Sequence, residues 1–595
     1  MKLEVPLQEK YEGTAPVIPS SLAKIPCSEL GIYGLLQKLN EVLGTHYTLD
    51  APHQGDSVWN PVVNPEEGDS DWSDVEEDKS DDGLDDTVYA DPLQELLFGC
   101  IHAQLDFGMA YAQLRPWWYL DHALAQREIV KRRADDEFTR QDALYQWSHR
   151  SAPTIDDPDT YPRRVWDLYA NRIVPMWAVT ETSGIAHPKR QEKPNIVGVS
   201  HSWMSEELRH PVETHINSFE WPVPIPVDTT LERVRIELLN LGLEYAWLDV
   251  LCLRQVGRDS TGEALRRHEW GLDVPTIGFI YQGRKVVHYY SGLGRPFRIG
   301  DLHSDRHWLN RAWTLQEIGG SSIVAGVTAD SPVNLPKDDQ TGLHIDENLC
   351  QFYDRLAKLA ELSEDIQNIF PVLAAMRHRA SVNVNDKICG LAYLLRSQRL
   401  PAYDADEPME EFWSRFIDTI KPRFRGDLLF LYPEPGNGTY TWAPSCQQVR
   451  DVEALPDSNG ISLCEGVYRS SNYSIYCYCG YRLDGCFLDG LAQGGSRSRM
   501  GRMVLTDGTG LHHVFPVLAL HNQPIPHGDY TLIGSQNCQY WVVGHVKEEE
   551  RLEFGNIRRP SRLEKVSVLC LDGGEKIVQK LQALGLARVT ETGFF

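Results

Sequence analysis

Trp313 and Glu317 stand four residues apart, a spacing that on a helix places both side chains on one face and lets the indole wall a pocket beside the carboxylate. Asp249 lies inside Tyr245-Ala246-Trp247-Leu248-Asp249-Val250-Leu251-Cys252-Leu253, a nearly continuous apolar run, where an acid must find a partner. Ser202 and Trp203 follow directly on the β-branched run Asn195-Ile196-Val197-Gly198-Val199-Ser200. A carboxylate among such groups can stabilise positive charge that develops on a reacting ligand. Each residue also has a structural use. Glu317 can pair with Arg311 or cap backbone near a helix end, Trp247 and Trp313 can fill the core, and Asp249 can be held by hydrogen bonds. Cys252 lacks a His-containing partner motif and reads as a buried thiol. Cys477, Cys479 and Cys486 raise zinc, but Cys-x-Cys is not the usual pair spacing and strand alternation explains it, so no metal site is expected. His512-His513 reads as a loop pair. No Gly-x-Gly-x-x-Gly loop follows a strand, which removes support for a dehydrogenase-type nucleotide site.

These residues need elements to position them. The run ending at Ser200 predicts a buried strand. Thr229-Thr230-Leu231-Glu232 predicts a capping box opening a helix, with Leu231, Val234, Leu238 and Leu241 at helical spacing and Gly242 closing it. Tyr245–Leu253 reads as a strand covered on both faces. A further helical pattern ends at Thr276–Tyr281, and Lys285–Tyr290 forms a third strand. Alternation of strand and helix predicts a parallel sheet, with ligands outside the carboxyl ends of its strands. A helix is expected over His307–Ile318, ending at Gly319-Gly320.

Around this core, a short helical pattern lies near Ile32–Val42. Asp91-Pro92-Leu93-Gln94 predicts an N-cap with Pro at N1, opening a helical stretch through Leu114 that resumes near 121–148. Residues 348–400 read as helical. Past about 430 the texture turns to short strands, with a terminal helix near Glu575–Leu584. No internal repeat is present.

The chain has 595 residues and a formal net charge of −26, from 58 Lys+Arg against 84 Asp+Glu. Twelve acids and one lysine fall between Pro65 and Asp86, so about two fifths of that charge belongs to one stretch, expected to be a disordered tether. Ser73 within it suits an acidophilic kinase. The acidic balance argues against nucleic acid as a partner. No stretch approaches the roughly 18 apolar residues of a membrane span. The start lacks a signal-peptide h-region and the cysteines are sparse, which leads to the expectation of a cytoplasmic protein.

Three stretches resemble the heterokaryon incompatibility (HET) domain of filamentous fungi. They are Val197-Gly198-Val199-Ser200-His201-Ser202-Trp203, Tyr245 through Gln255, and Arg311-Ala312-Trp313-Thr314-Leu315-Gln316-Glu317. Asp386-Lys387-Ile388-Cys389-Gly390-Leu391-Ala392 is similar to a motif that often follows the domain. His201, Met204 and Arg254 depart from the family pattern, which usually has Tyr, Gly and Asn there.

The resemblance implies a role in self/non-self recognition and programmed cell death. It also implies an α/β, parallel-sheet, TIR-like (flavodoxin-like) domain, and some TIR domains cleave NAD with a Glu four residues after a Trp. Cleavage of the nicotinamide–ribose bond passes through an oxocarbenium-like state. On this reading Glu317 is the catalytic carboxylate, and Ser202, Trp203, Asp249 and Trp313 line the nucleotide site. NAD would be a substrate, no cofactor is required, and a protein partner or self-association is expected. The alternative is a non-enzymatic signalling module that acts by domain assembly. The expected organisation is an irregular region at 1–64, the acidic linker at 65–90, a helical region at 91–165, the HET domain at 166–335, a helical region at 336–430 and a β-rich domain at 431–595. That last domain could sense a partner and release the HET domain.

Overall fold

The computed structural model describes residues 5–49, 91–145, 154–179, 196–257, 259–334, 346–364, 366–451, 454–456, 466–470, 475–548, 551–553 and 557–595. The acidic stretch and Ser73 lie outside the described residues. The fold is mixed α/β with a β-rich C-terminal region.

Six strands build the central sheet: β1 (Arg164–Asp167), β2 (Arg172–Pro175), β3 (Ile196–His201), β4 (Tyr245–Leu248), β5 (Lys285–Tyr289) and β6 (Ser321–Val324), in the order β6-β5-β3-β4-β1-β2. The four strands from β3 to β6 run parallel. The all-parallel expectation is corrected on the other edge, where β1 is antiparallel to both β2 and β4. Four residues join β1 to β2, with Asn171 at φ 53°, and so short a connection permits only an antiparallel pair. The expected boundary at residue 166 therefore falls inside a strand of the sheet.

β3 is the first parallel strand in the chain and lies between its successors β4 and β5. The connections leave it in opposite directions, and a crevice opens at the carboxyl ends where that happens. Gly198, in mid-strand, has φ in the ordinary extended range but no room for a side chain: a Cβ there would sit 2.6 Å from the Tyr281 ring. The Tyr281 hydroxyl donates to the Val199 carbonyl at 3.4 Å, which locks that ring over the strand.

Local chemistry explains the neighbouring elements. Thr230 caps the helix Leu231–Asn240 by accepting from the Arg233 amide, and Gly242 follows at φ +78°. Asp91 likewise caps Pro92–His102 through the Leu93 amide. The helical stretch that follows breaks in two, and a second N-cap, Asp106, starts Phe107–Leu114. The predicted strand Tyr245–Leu253 stops at Leu248. Asp249 turns the chain into a one-turn helix, Asp249–Cys252, because its carboxylate takes the Val250 amide at 2.7 Å.

The helix expected over His307–Ile318 is replaced by two 3₁₀ turns, Trp308–Asn310 and Trp313–Leu315. The carbonyls an α-helix would use are claimed by other groups. Thr314 Oγ1 donates to Trp308 O at 2.7 Å and to Arg311 O at 2.9 Å, Arg379 also donates to Arg311 O, and the Ala312 amide donates to Ala380 O.

The N-terminal helices clamp onto the sheet through buried ion pairs, Arg172 with Asp106 and Arg115 with Asp167. Ile18, Leu39, Tyr111, Trp166, Trp247, Trp413 and Tyr478 belong to one continuous core that runs from the N-terminal helices to the C-terminal strands. The region read as helical at 348–400 holds three helices, Glu347–Glu364, Ile369–Arg377 and Asn385–Ala392.

The C-terminal strands are β7 (Tyr476–Asp489), β8 (Arg499–Thr506), β9 (His512–Ala519), β10 (Gly528–Gly534), β11 (Trp541–Glu548), β12 (Arg562–Leu571) and β13 (Ala587–Phe594). Pairings run β7-β8-β9-β12-β11-β10 and return from β10 to β7, which closes a six-stranded antiparallel barrel. β13 fills the seam between β7 and β12. Leu483, Met503, Phe515, Leu532, Trp541 and Leu569 fill its apolar interior, together with Val578 and Leu581 of the helix Glu575–Ala583. Closure removes exposed edges. Among the described residues no helix is long and apolar enough to cross a membrane.

Candidate functional site at the carboxyl edge of the sheet

β3 ends in Ser200 and His201, and Ser202 follows directly; all three are buried. Backbone register sets Ser200 beside His288 and His201 beside Tyr289 of β5. Each polar side chain finds a partner. His201 Nε2 lies 2.8 Å from Asp249 Oδ1, and the Trp203 indole donates to Asp249 Oδ2 at 2.9 Å. With the Val250 amide, Asp249 accepts three hydrogen bonds. Ser200 Oγ donates to Glu317 Oε2 at 2.5 Å and accepts from the Trp308 indole at 2.7 Å. Ser202 Oγ donates to the Tyr290 carbonyl at 2.8 Å.

The electrostatics divide the site in two. Burial opposes charge on both His201 and Asp249, but each offsets that cost for the other, so His201 is raised above its ordinary value and Asp249 is lowered below its own. Each therefore favours the charged form of the other. Burial pushes Glu317 up to about 7; the Asp249 charge adds to the rise, while Ser200, His201 and Arg311 oppose it. A carboxyl group poised there can hold or release a proton under physiological conditions. His288 is different: burial pushes it down to about 4, and as a neutral ring it bridges Ser322 Oγ and the Glu317 carbonyl.

The structure gathers four of the five residues singled out in the sequence. Ser202, Trp203, Asp249 and Glu317 stand around the end of β3. Trp313 belongs elsewhere. Its indole bonds the Asp386 carboxylate, which also accepts from the Tyr403 hydroxyl, and it packs on the helix Asn385–Ala392. With no α-helix through 313–317, the four-residue spacing does not place its indole and the Glu317 carboxylate on one face. The anticipated Glu317–Arg311 ion pair does not form either, since Glu317 turns to Ser200.

Ser200, His201 and Trp308 were not among the expected site residues. Their signal was present: polar residues close a strand that is otherwise apolar, and a buried polar group needs a partner. Trp247 is buried core, edge-on to Tyr281. Cys252 is a buried thiol pushed up to about 12 by burial. Among the described residues no group of three His, Cys, Asp or Glu side chains is arranged to hold a metal ion.

Access to this network is narrow. Glu317 is 9% exposed, while the Asp249 side chain is 25% exposed. Beside it opens a cleft of about 450 Å³ whose lining includes Ser202, Met204, Tyr290, Arg306 and His307. No family model, no curated protein and no solved structure matches the chain.

Proposed function

We propose that this chain is a fungal-type HET-domain protein of self/non-self recognition and programmed cell death, acting in the cytoplasm. Its central domain would hydrolyse NAD at the nicotinamide–ribose bond. Three sequence motifs support the assignment, and the strand order of the parallel portion is the one expected of a flavodoxin-like, TIR-like sheet. The observation that carries the activity is the convergence of Glu317, His201 and Asp249 at the end of β3.

In this mechanism the Glu317 carboxylate leaves Ser200 and faces the ribose. As the glycosidic bond breaks, nicotinamide departs with the bonding electron pair as a neutral base. The positive charge left on the ribose is stabilised by Glu317. Water then adds to the anomeric carbon and yields ADP-ribose and one proton, and the His201–Asp249 pair orients the ribose hydroxyls. Glu317→Gln keeps the Ser200 hydrogen bond but lacks the charge. Full-length protein incubated with NAD should release nicotinamide, and Glu317→Gln should lower the rate at least a hundredfold. Equal rates would remove Glu317 from the mechanism.

One observation favours a second reading, a non-enzymatic module that signals by assembling with itself or a partner. Glu317 is almost fully enclosed and already bonded, and Trp313 is committed to Asp386. Absence of nicotinamide release from both dilute and self-associated protein would select that reading.

A further inference from the structure

The chain is acidic overall, yet Arg306 and Arg311 of the loop 302–311 act on each other and on Arg209 at the sheet's carboxyl edge, with the exposed Glu206 and Glu207 nearby. Arg306 is exposed on the wall of the 450 Å³ cleft, beside Ser202 and Met204. Arg209 lies 5.0 Å from the centre of the Trp203 ring; among the described residues its ion pair is the long one to Glu206 at 4.0 Å, and its buried Nε has no hydrogen-bond partner. Arg311 is 8% exposed, and among the described residues its guanidinium makes no hydrogen bond and no ion pair. Burial first, and then the positive charges of Arg306 and Arg209, push Arg311 below its ordinary value. Asp386 and Glu317 offset this only in part.

This arrangement costs free energy. A guanidinium brings five donors, and burying one without acceptors beside two like charges is unfavourable. Other arginines on the same cleft are neutralised. Arg295 bonds Asp228, and Arg298 bonds Asp330. Asp301 is the one acid on the cleft wall and is placed with Arg298 and Arg306. Arg311, with no partner among the described residues, and Arg209 and Arg306, whose nearby counter-charge is the exposed pair Glu206 and Glu207, therefore stand out against well-paired neighbours a few residues away.

We infer that Arg306, Arg311 and Arg209 form a binding site for a phosphate-bearing anion of the nucleoside-diphosphate class, entered through the cleft beside Trp203. Guanidinium groups match phosphate oxygens in a bidentate fork, and charge-assisted hydrogen bonds would supply the acceptors these arginines lack. The Trp203 indole, already stacked on Arg209 and fixed by Asp249, gives a flat wall for the organic part of the ligand. The inference deepens the proposed NAD chemistry by naming the subsite for the dinucleotide's phosphates, yet it concerns binding and requires no turnover.

The test is calorimetric titration of the full chain with ADP, inorganic pyrophosphate and adenosine, in the wild type and in Glu317→Gln. ADP and pyrophosphate should bind both proteins, adenosine should bind at least tenfold more weakly than ADP, and affinity should fall as salt rises. Arg306→Gln, at an exposed position where folding is not at risk, should weaken ADP binding about tenfold, equivalent to one charge-assisted hydrogen bond. Arg311→Lys keeps the charge but loses the fork and should weaken it similarly. Arg298→Gln, whose charge Asp330 already neutralises, should change it less than twofold. Equal binding of ADP and adenosine, an unchanged Arg306→Gln, or an equal loss in Arg298→Gln would overturn the site. ADP binding without nicotinamide release leaves the site standing and overturns only the proposed hydrolysis. Hydrolysis with an unchanged KM in Arg306→Gln overturns the site and leaves the hydrolysis.

Discussion

The carboxyl edge of the central sheet and the C-terminal barrel bury their interiors by opposite rules. Around β3, side chains that titrate are bonded to other side chains: His201 to Asp249, and Glu317 to the Ser200 hydroxyl. Within the barrel, Leu483, Met503, Trp541 and Leu569 belong to an apolar cluster. Where β12 buries a charge, at Lys565, the ammonium donates to the backbone carbonyls of Leu429 and Tyr432, both at 2.8 Å, whereas the buried Arg482 of β7 pairs with Asp484. Backbone partners cannot change protonation state or rotate away. The first region is therefore able to exchange its partners for a ligand's groups, and the second is built to hold one arrangement.

The largest expected effect breaks the barrel alone. Trp541 is fully buried, and Trp541→Ala should cost about 4 kcal/mol through lost burial and the cavity it leaves. Limited proteolysis should cut first within 476–594, while binding at the sheet edge persists. Simultaneous loss of both would show that the two regions unfold as one unit, as their shared core through Tyr478 and Phe594 permits.

The next effect belongs to the sheet edge and depends on pH. Glu317 has a folded value near 7 against an ordinary 4.5. The folded state therefore binds the proton more tightly than the unfolded one. Its contribution to stability is full below pH 4.5 and is lost as pH rises towards 7, a change of about 3 kcal/mol. Denaturant melts at pH 4.5 and pH 8 should show Glu317→Gln matching wild type at the lower pH and exceeding it at the higher. The same difference at both values would mean that Glu317 is not proton-linked to folding. A Trp541→Ala protein should keep this pH dependence, since the barrel interior contains no such group.

How much of this was legible beforehand follows the same division. Elements defined by local patterns were readable: the Thr230 cap, the β3 run and the terminal helix all rest on residues within a few positions of one another. The positions of Ser202, Trp203 and Asp249 at the carboxyl edge of the sheet were readable because each follows directly on an apolar strand, whereas Glu317 was singled out by its spacing from Trp313, a face the fold does not keep. What escaped was set by distant partners. The 307–318 segment carries a helical pattern, but Ala380 and Arg379 claim backbone groups its ladder would need, which dissolves the Trp313/Glu317 face. His201 looked like a departure from a family pattern, and its bond to Asp249, 2.8 Å away in the one-turn helix after β4, became visible only in the fold. Barrel closure, which depends on β10 meeting β7 across about fifty residues, leaves no local trace.

The smallest effect tests whether the two regions communicate. Lys565 bolts the barrel to the helix Pro422–Phe430 and the segment after it, and burial lowers its ammonium to about 7. Lys565→Met fills the space but leaves the Leu429 and Tyr432 carbonyls without their donor, at a cost of about 2 kcal/mol. Deleting 431–595 is a poorer test, because it strips Tyr476, Tyr478 and Phe594 from the main core. If the C-terminal region restrains the central domain, Lys565→Met should raise toxicity on expression in a host cell while leaving the pH dependence assigned to Glu317 intact. Unchanged toxicity, with the expected loss of stability, would confine the barrel to a structural role.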